Sequence, residues 1–380
     1  MDTGINVEYY LLAGQVAGKS EVCRYSRMKP VQPTKLSRQQ IDQWPAVAAG
    51  FNARVVHCLD RAKIGTVGEL RSWNDGRLLA LRSFGVGSLQ NARWFFKWTS
   101  RLEKGLSTVA DLRQWLREFL DNREVSVLER RYGLNDPLFR PSVRRMTLQE
   151  IARQLGGVTR ERARQVEETG LAKLRSHLAR AVVAPLETYL VERIKEYGGA
   201  VSSKDLGDWQ RDPVLGGYQP WGALALLSDT LEDIHARYGC FCCLPSETVR
   251  DIEASVLRVL REARTPVAFD TIRAQVAVPI HSVGATVDRD HLLHVMLDYH
   301  PGIDGTVDGR YYLPEHGIEM LIVEILRAAT EPLHYYEIAR RYNALVQPAS
   351  RRGTGFILHL LHAMSTAQRV GRGLYGPRTA

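Results

Sequence analysis

MTLQEIARQLGGVTRERARQVEETGLAKLRSHL, Met146 to Leu178, decides the fold class. Thr147 and Glu150 stand ahead of an apolar run in the T-x-x-E pattern, where threonine and glutamate cap a helical start reciprocally. The helix they open is predicted to end at Gly156-Gly157, and Thr159 caps a second one running to about Leu178. Two helices joined by a short glycine turn predict a helix-turn-helix. In the second helix Ala163, Val166, Leu171 and Leu174 form the inward side. Glu161, Arg164, Gln165 and Glu168 fall at i, i+3, i+4 and i+7 and share the opposite face. Arginine and glutamine carry the paired donors and acceptors that match guanine and adenine edges in the major groove. Arg160 and Arg162 flank them and suit phosphates, which fix register without reading sequence. A solvated face of an ordinary helix has the same spacing, so the pattern alone leaves both readings open.

The surroundings are basic: residues 120 to 182 hold thirteen basic and eight acidic side chains. Towards the N-terminus, Gln39 to Leu102 reads as short helices with tight turns. Val55, Leu59 and Ala62 share one helical face, Thr66 and Glu69 make another capping box, and Leu78, Leu79 and Leu81 mark a third helix. Phe84-Gly85-Val86-Gly87-Ser88-Leu89 is expected to be a glycine hairpin with positive φ at Gly85 and Gly87. Ser88 is expected to cap the following helix, with backbone amides aimed at an anion. Residues 1–38 read as a basic arm, since Lys19 to Arg38 has six basic residues and one acid.

Towards the C-terminus the chain repeats itself. Val256–Val276 aligns with Leu321–Tyr342 at an offset of 66, matching Leu260 with Leu326, Ala263 with Ala329, Pro266 with Pro332 and Ile272 with Ile338. A weaker copy, Leu190 to Leu206, precedes them and is followed by Gly239-Cys240-Phe241-Cys242-Cys243-Leu244-Pro245. Each copy predicts helix, short strand, helix, helix and β-hairpin, the plan of a winged helix-turn-helix. Arg351 and Arg352 are expected to open the last recognition helix, and Arg369 and Arg372 to lie on its wing where phosphates would be met.

Composition bounds the function. The net charge of +9 favours a polyanionic partner, nucleic acid being the commonest. No run of eighteen apolar residues and no basic n-region appears, so no membrane span and no signal peptide are expected. Five cysteines suit a reducing cytoplasm. C-x-C-C at Cys240–Cys243 lacks paired C-x-x-C knuckles, and the H-x-x-H pairs at His291/His294 and His359/His362 have no further ligands. No metal, no cofactor and no catalytic residues are expected, and the chain reads as no enzyme.

Arg123 to Leu178, with RYGL, the T-L-x-E-I-A helix and V-T-R-E-R-x-R-Q-x-E, resembles region 4 of sigma-70-type factors. That family binds a promoter element in the major groove and touches RNA polymerase, which implies DNA contacts at Arg160, Glu161, Arg164 and Gln165. Here Gly156-Gly157 adds a residue to the turn. Phe51 to Trp98 resembles the C-terminal domain of the RNA polymerase α subunit, a helix-hairpin-helix-like minor-groove binder. That resemblance implies phosphate or minor-groove contacts at Arg54, Gly85 and Ser88, although His57 and Gly87 replace the family's asparagine and lysine. The last two repeats resemble HARE-type winged helices. The expected architecture is mainly α: basic arm 1–38, helix-hairpin-helix-like module 39–104, sigma region 4-like module 105–182, and tandem winged helices at 183–248, 249–316 and 317–380. Sigma region 2 has no visible counterpart. The expected role is a sequence-reading duplex DNA-binding regulator or RNA polymerase accessory factor, cytoplasmic and at the nucleoid. Alternatives are a polymerase-binding scaffold with little DNA contact, or the DNA-targeting subunit of a nuclease, modification or phage-defence system.

Overall fold

The computed structural model describes residues 34–106, 109–136, 146–237, 240–263, 265–276 and 288–378. Most of the expected basic arm therefore lies outside the described residues. Among the described residues the protein is mainly α-helical, with three small antiparallel sheets.

The first five helices are α1 (Arg38–Asp42), α2 (Ala53–Arg61), α3 (Val67–Arg71), α4 (Asp75–Leu79) and α5 (Val86–Glu103). Asn52, Thr66 and Asn74 cap α2, α3 and α4 through their side chains, and the Thr66–Glu69 box is present. Each cap supplies an acceptor to an amide that the helix itself leaves unpaired. Arg71 bridges Asp42 (2.8 Å) and Glu103 (2.9 Å), tying α3 to α1 and α5.

Next come α6 (Leu112–Phe119), α7 (Asn122–Tyr132), α8 (Leu148–Gln154), α9 (Arg160–Leu174) and α10 (His177–Glu196). The helix from Thr159 does not continue to Leu178. It ends at Leu174, and Ser176 caps α10 by accepting from the Ala179 amide. The break follows from packing against a distant segment. A Cβ on Gly50 would stand 2.8 Å from Ser176 Oγ, and the Leu178 amide donates to Ala49 O (3.3 Å). The backbone turns where it meets that loop, and α10 then runs as a spine. Val182, Val183, Leu186, Leu190 and Ile194 are buried along it, and Trp115 Nε1 donates to Ala179 O (3.0 Å). The module boundary expected at 182/183 falls inside α10, whose apolar residues line one continuous core from Ile41 to Phe241.

Three units with one topology follow. The first holds β1 (Ala200–Ser202), α11 (Pro220–Thr230), β2 (His235–Arg237) and β3 (Cys240–Cys242). The second holds α12 (Ser246–Glu262), β4 (Val267–Ala268), α13 (Phe269–Gln275), α14 (Arg289–Tyr299), β5 (Asp304–Gly305) and β6 (Arg310–Tyr312). The third holds α15 (Pro314–Ala328), β7 (Leu333–His334), α16 (Tyr335–Leu345), α17 (Thr354–Ala363), β8 (Ala367–Gly371) and β9 (Leu374–Pro377). In each the last strand is central: β1-β3-β2, β4-β6-β5 and β7-β9-β8. The offset of 66 carries Val267 of β4 onto Leu333 of β7, Ala263 and Ala329 both end their helices, and Ile272 and Ile338 are fully buried.

The first sheet is covered on both faces. Val201 and Phe241 enter the large core, while Ala200, Cys240 and Cys242 enter that of the second unit, as strand alternation requires. The third unit has its own core around Leu326 and Ile338. Among the described residues no helix is long and apolar enough to cross a membrane, and no three His, Cys, Asp or Glu side chains group to hold a metal.

Candidate nucleic-acid interface

Helix α9 is held by what lies beneath it. Val127, Ile151 and Val166 form a small core with Met146, Leu148 and Leu155, joining α7, α8 and α9. At Gly170 α9 packs against α7, where a Cβ would lie in van der Waals contact, 3.4 Å from Leu128 Cδ1. Two ion pairs fix its rotation: Arg131 Nε–Glu167 Oε1 at 2.9 Å and Lys173 Nζ–Glu124 Oε1 at 2.6 Å. Arg131 also donates to Met146 O (2.7 Å). These positioning pairs join residues 36 and 49 apart, beyond what helical periodicity reveals.

The turn between α8 and α9 carries Gly156 at φ 64° and Gly157 at φ 80°. Both are left-handed conformations that suit glycine, and no atom lies within 4 Å of a Cβ at either position. Thr159 Oγ1 accepts from the Arg162 amide (3.1 Å), as its sequence position predicts. Arg160, Glu161, Arg162, Arg164 and Gln165 are all exposed, and Ala163, Val166 and Leu174 are buried opposite them.

The exposed face is internally bonded. Arg164 pairs with Glu161 through Nη2–Oε1 (2.7 Å) and Nε–Oε2 (3.0 Å), and Nη1 pairs with Glu168. Gln165 Nε2 donates to Glu161 Oε1 (3.4 Å), and Arg162 Nη1 donates to Gln165 Oε1 (3.3 Å). The Arg164 guanidinium holds the Glu161 carboxyl below its usual range. The face therefore presents a preformed lattice of donors and acceptors, with Arg164 shared between two carboxylates.

A second exposed group lies where α2 and α5 begin. Arg54 is exposed in the first turn of α2, and the Asn52 amide donates to Asn91 Oδ1 (3.2 Å), linking that turn to α5. The hairpin expectation needs correcting. Gly85 is the N-cap at φ −98°, and neither it nor Gly87 is left-handed. Ser88 is the third residue of α5, 5% exposed, and caps nothing. Phe84 and Leu89 are both buried, so they draw the backbone inward and the helix begins before Ser88. Gly85 and Gly87 stay exposed with open space around them.

The third group lies in the last unit, and one expectation fails there. Arg351 and Arg352 precede α17, whose N-cap is Gly353. Arg352 is tied down: Nη2 reaches Asp304 Oδ2 at 2.7 Å, and its backbone exchanges hydrogen bonds with the Asn343 side chain. Arg351, Arg369 and Arg372 are exposed.

The protein is mainly α-helical, and two of its segments match family models of the transcription machinery. Residues 118–176 match the family model of Sigma-70, region 4, and residues 48–93 match that of the C-terminal domain of the bacterial RNA polymerase α subunit. The first match ends at Ser176, where α9 gives way to α10. Both families are non-catalytic modules of the transcription machinery. The likeness to HARE-type winged helices has no counterpart in these matches. No curated protein and no solved structure matches the sequence.

Proposed function

We propose that the protein is a sequence-reading, duplex DNA-binding regulator or RNA polymerase accessory factor, acting at the nucleoid. The carrying observation is α9. Arg160, Glu161, Arg162, Arg164 and Gln165 stand together on its solvent side while its other side is locked to α7 and α8. A rigid base and an exposed donor–acceptor face are what a groove reader needs. In this reading Arg164 exchanges Glu161 and Glu168 for a guanine edge, Gln165 meets adenine and Glu161 accepts from a cytosine amine. Arg160 and Arg162 take phosphates. Arg54 and the exposed start of α5 at Gly85 add a second contact, in which Ser88 takes part only through its backbone.

A scaffold that binds polymerase with little DNA contact draws on the same lattice, because Arg164 already has partners. Fluorescence anisotropy separates the two. The protein is titrated onto duplexes with and without a −35-like hexamer between about 50 and 300 mM salt, where phosphate neutralisation makes affinity fall steeply. Changing Arg160 and Arg164 to alanine should abolish preference between the duplexes. Binding weaker than about 100 μM at low salt, below ordinary non-specific association, would remove DNA reading. Polymerase capture that survives both substitutions would then favour the scaffold.

A further inference from the structure

The three small sheets each have two faces, because successive side chains of a strand point to opposite sides. In the first sheet Phe241 enters the large core, while Cys240 and Cys242 enter the core of the second unit. In the second sheet Tyr311 belongs to the core of its own unit. Tyr312 belongs to that of the third, where its hydroxyl lies 3.2 Å from that of Tyr342. Each of these two sheets thus seats the next unit on its second face. The third sheet turns Tyr375 into its own core. Its second face carries Leu374, 37% exposed, with His334 directly across the β7–β9 pair and so beside it. Tyr335 and Tyr336 extend this surface. Their rings stack on each other at 4.3 Å between centroids, and Tyr336 stacks on His334 at 5.3 Å. Tyr336 is 58% exposed, and among the described residues no further unit lies on this face.

Helix α14 shows what such a face takes. It lies against β1 and β3, with His291 Nε2 3.1 Å from Ala200 O and Lys204 Nζ 3.5 Å from Asp298 Oδ2. His291, Val295 and Asp298 fall at i, i+4 and i+7 and form one stripe. Its counterpart is α17. Leu292, Met296 and Tyr299 pack in the second core as Ile357, Leu361 and Met364 pack in the third, at an offset of 65. The same offset carries the stripe onto Phe356, Leu360 and Ala363. Phe356 is 47% exposed, Leu360 is half-buried and Ala363 is exposed. This stripe is left bare because the third unit seats on the second sheet by another route, the end of α16 and the turn after it. The Val307 amide donates to Leu345 O (2.8 Å), the Gln347 amide donates to Gly305 O (2.9 Å), and Asp304 holds Ser350 and Arg352.

We propose that the second face of the third sheet receives α17 of a second copy of the chain, so that copies join head to tail. One unit carries both a bare seat and the helix stripe that, one unit earlier, fills such a seat. It is therefore complementary to itself. The surfaces that meet are apolar and aromatic: Phe356, Leu360 and Ala363 of one copy against Leu374, His334 and Tyr336 of the other. An exposed patch of this kind marks a protein contact. Seat and stripe are different surfaces, so the contact is heterologous and can continue from copy to copy. No reading of DNA enters this inference. Joined copies would nevertheless place several α9 helices on one assembly, where weak contacts add through effective concentration.

The test is sedimentation velocity on the full-length protein freed of nucleic acid. Wild type should pass from monomer to larger species as its concentration is raised to roughly 100 μM, the affinity range of a small transient contact. Phe356→Asp and Leu374→Asp, both at exposed positions, should each stay monomeric. Mixed in equal amounts, they should form a species of twice the monomer mass and none larger, because one keeps the seat and the other keeps the helix. That recovery also shows that both variants are folded. A wild type that stays monomeric throughout overturns the proposal. Assembly that persists in both variants does the same, since it places the contact elsewhere. So does a mixture that stays monomeric after each variant has lost assembly, with thermal midpoints by circular dichroism matching wild type.

Discussion

Arg164 shows what periodicity can and cannot reveal about a single side chain. Its place on the outward face follows from the 3.6-residue repeat, because Ala163 and Val166 are fixed inward. Its state in the free protein does not. It is bonded to Glu161 one turn before and Glu168 one turn after, so DNA must compete with two carboxylates for it. Glu168→Gln should free part of that guanidinium and remove a negative charge from the approach path. DNA affinity at low salt should rise roughly two- to fivefold, the range expected of an exposed pair, and the gain should shrink as salt is raised. Unchanged or weaker binding in that variant would mean the carboxylate does not compete. Ser88 and Arg352 were illegible for related reasons. The burial of Ser88 is set by its neighbours Phe84 and Leu89, and the partner of Arg352 lies 48 residues away.

At the level of elements, helix starts were the most legible feature. Thr66 with Glu69, Thr147 with Glu150, and Thr159 all cap where the sequence places them, because a cap is a local exchange between one side chain and an amide three residues on. Helix ends set by distant segments were not legible. The break at Ser176 needs the Ala49–Gly50 loop, and no window of sequence contains both. The same holds for α11, whose residues Gly222, Ala223 and Ala225 carry no local mark of what they pack against. The structure gives Gly222 a specific task, the close approach to Tyr132 O and Gly133 O. Gly222→Ala should push α11 away from α7 and strain the contacts of Tyr132 with Asp229 (2.6 Å) and Tyr218 with Glu129 (2.9 Å). Overpacking of this kind costs about 1–3 kcal/mol or more. Thermal denaturation followed by circular dichroism should show an early transition, and a wild-type midpoint would mean the two helices separate freely.

At the scale of the whole molecule, the segments read from the sequence as modules share one core towards the N-terminus and keep distinct, mutually contacting cores towards the C-terminus. Motif spacing is silent on whether the apolar faces of neighbouring modules meet. Here α10 settles the matter: Val183, Leu186, Leu190 and Ile194 extend the same core that holds Leu59, Phe95 and Trp115. A truncation ending at residue 182 keeps both matched segments yet removes those four side chains and all of α11. Each fully buried aliphatic contributes about 1.5–3 kcal/mol, so four of them alone equal much of the roughly 5–15 kcal/mol by which a domain is stable. Residues 1–182 should therefore show no cooperative thermal transition. Residues 1–248 should unfold in one step, because they keep the whole core and uncover only the Ala200, Cys240 and Cys242 face of the first sheet. The full-length protein should add at least one further transition from the C-terminal cores, which unfold on their own terms. A sharp single transition from residues 1–182 would show that the α-C-terminal-like and sigma-like modules stand alone. The joint of Ala49 and Gly50 with Ser176 and Leu178, which lies wholly within those residues, would then suffice to fix α9 relative to the start of α2.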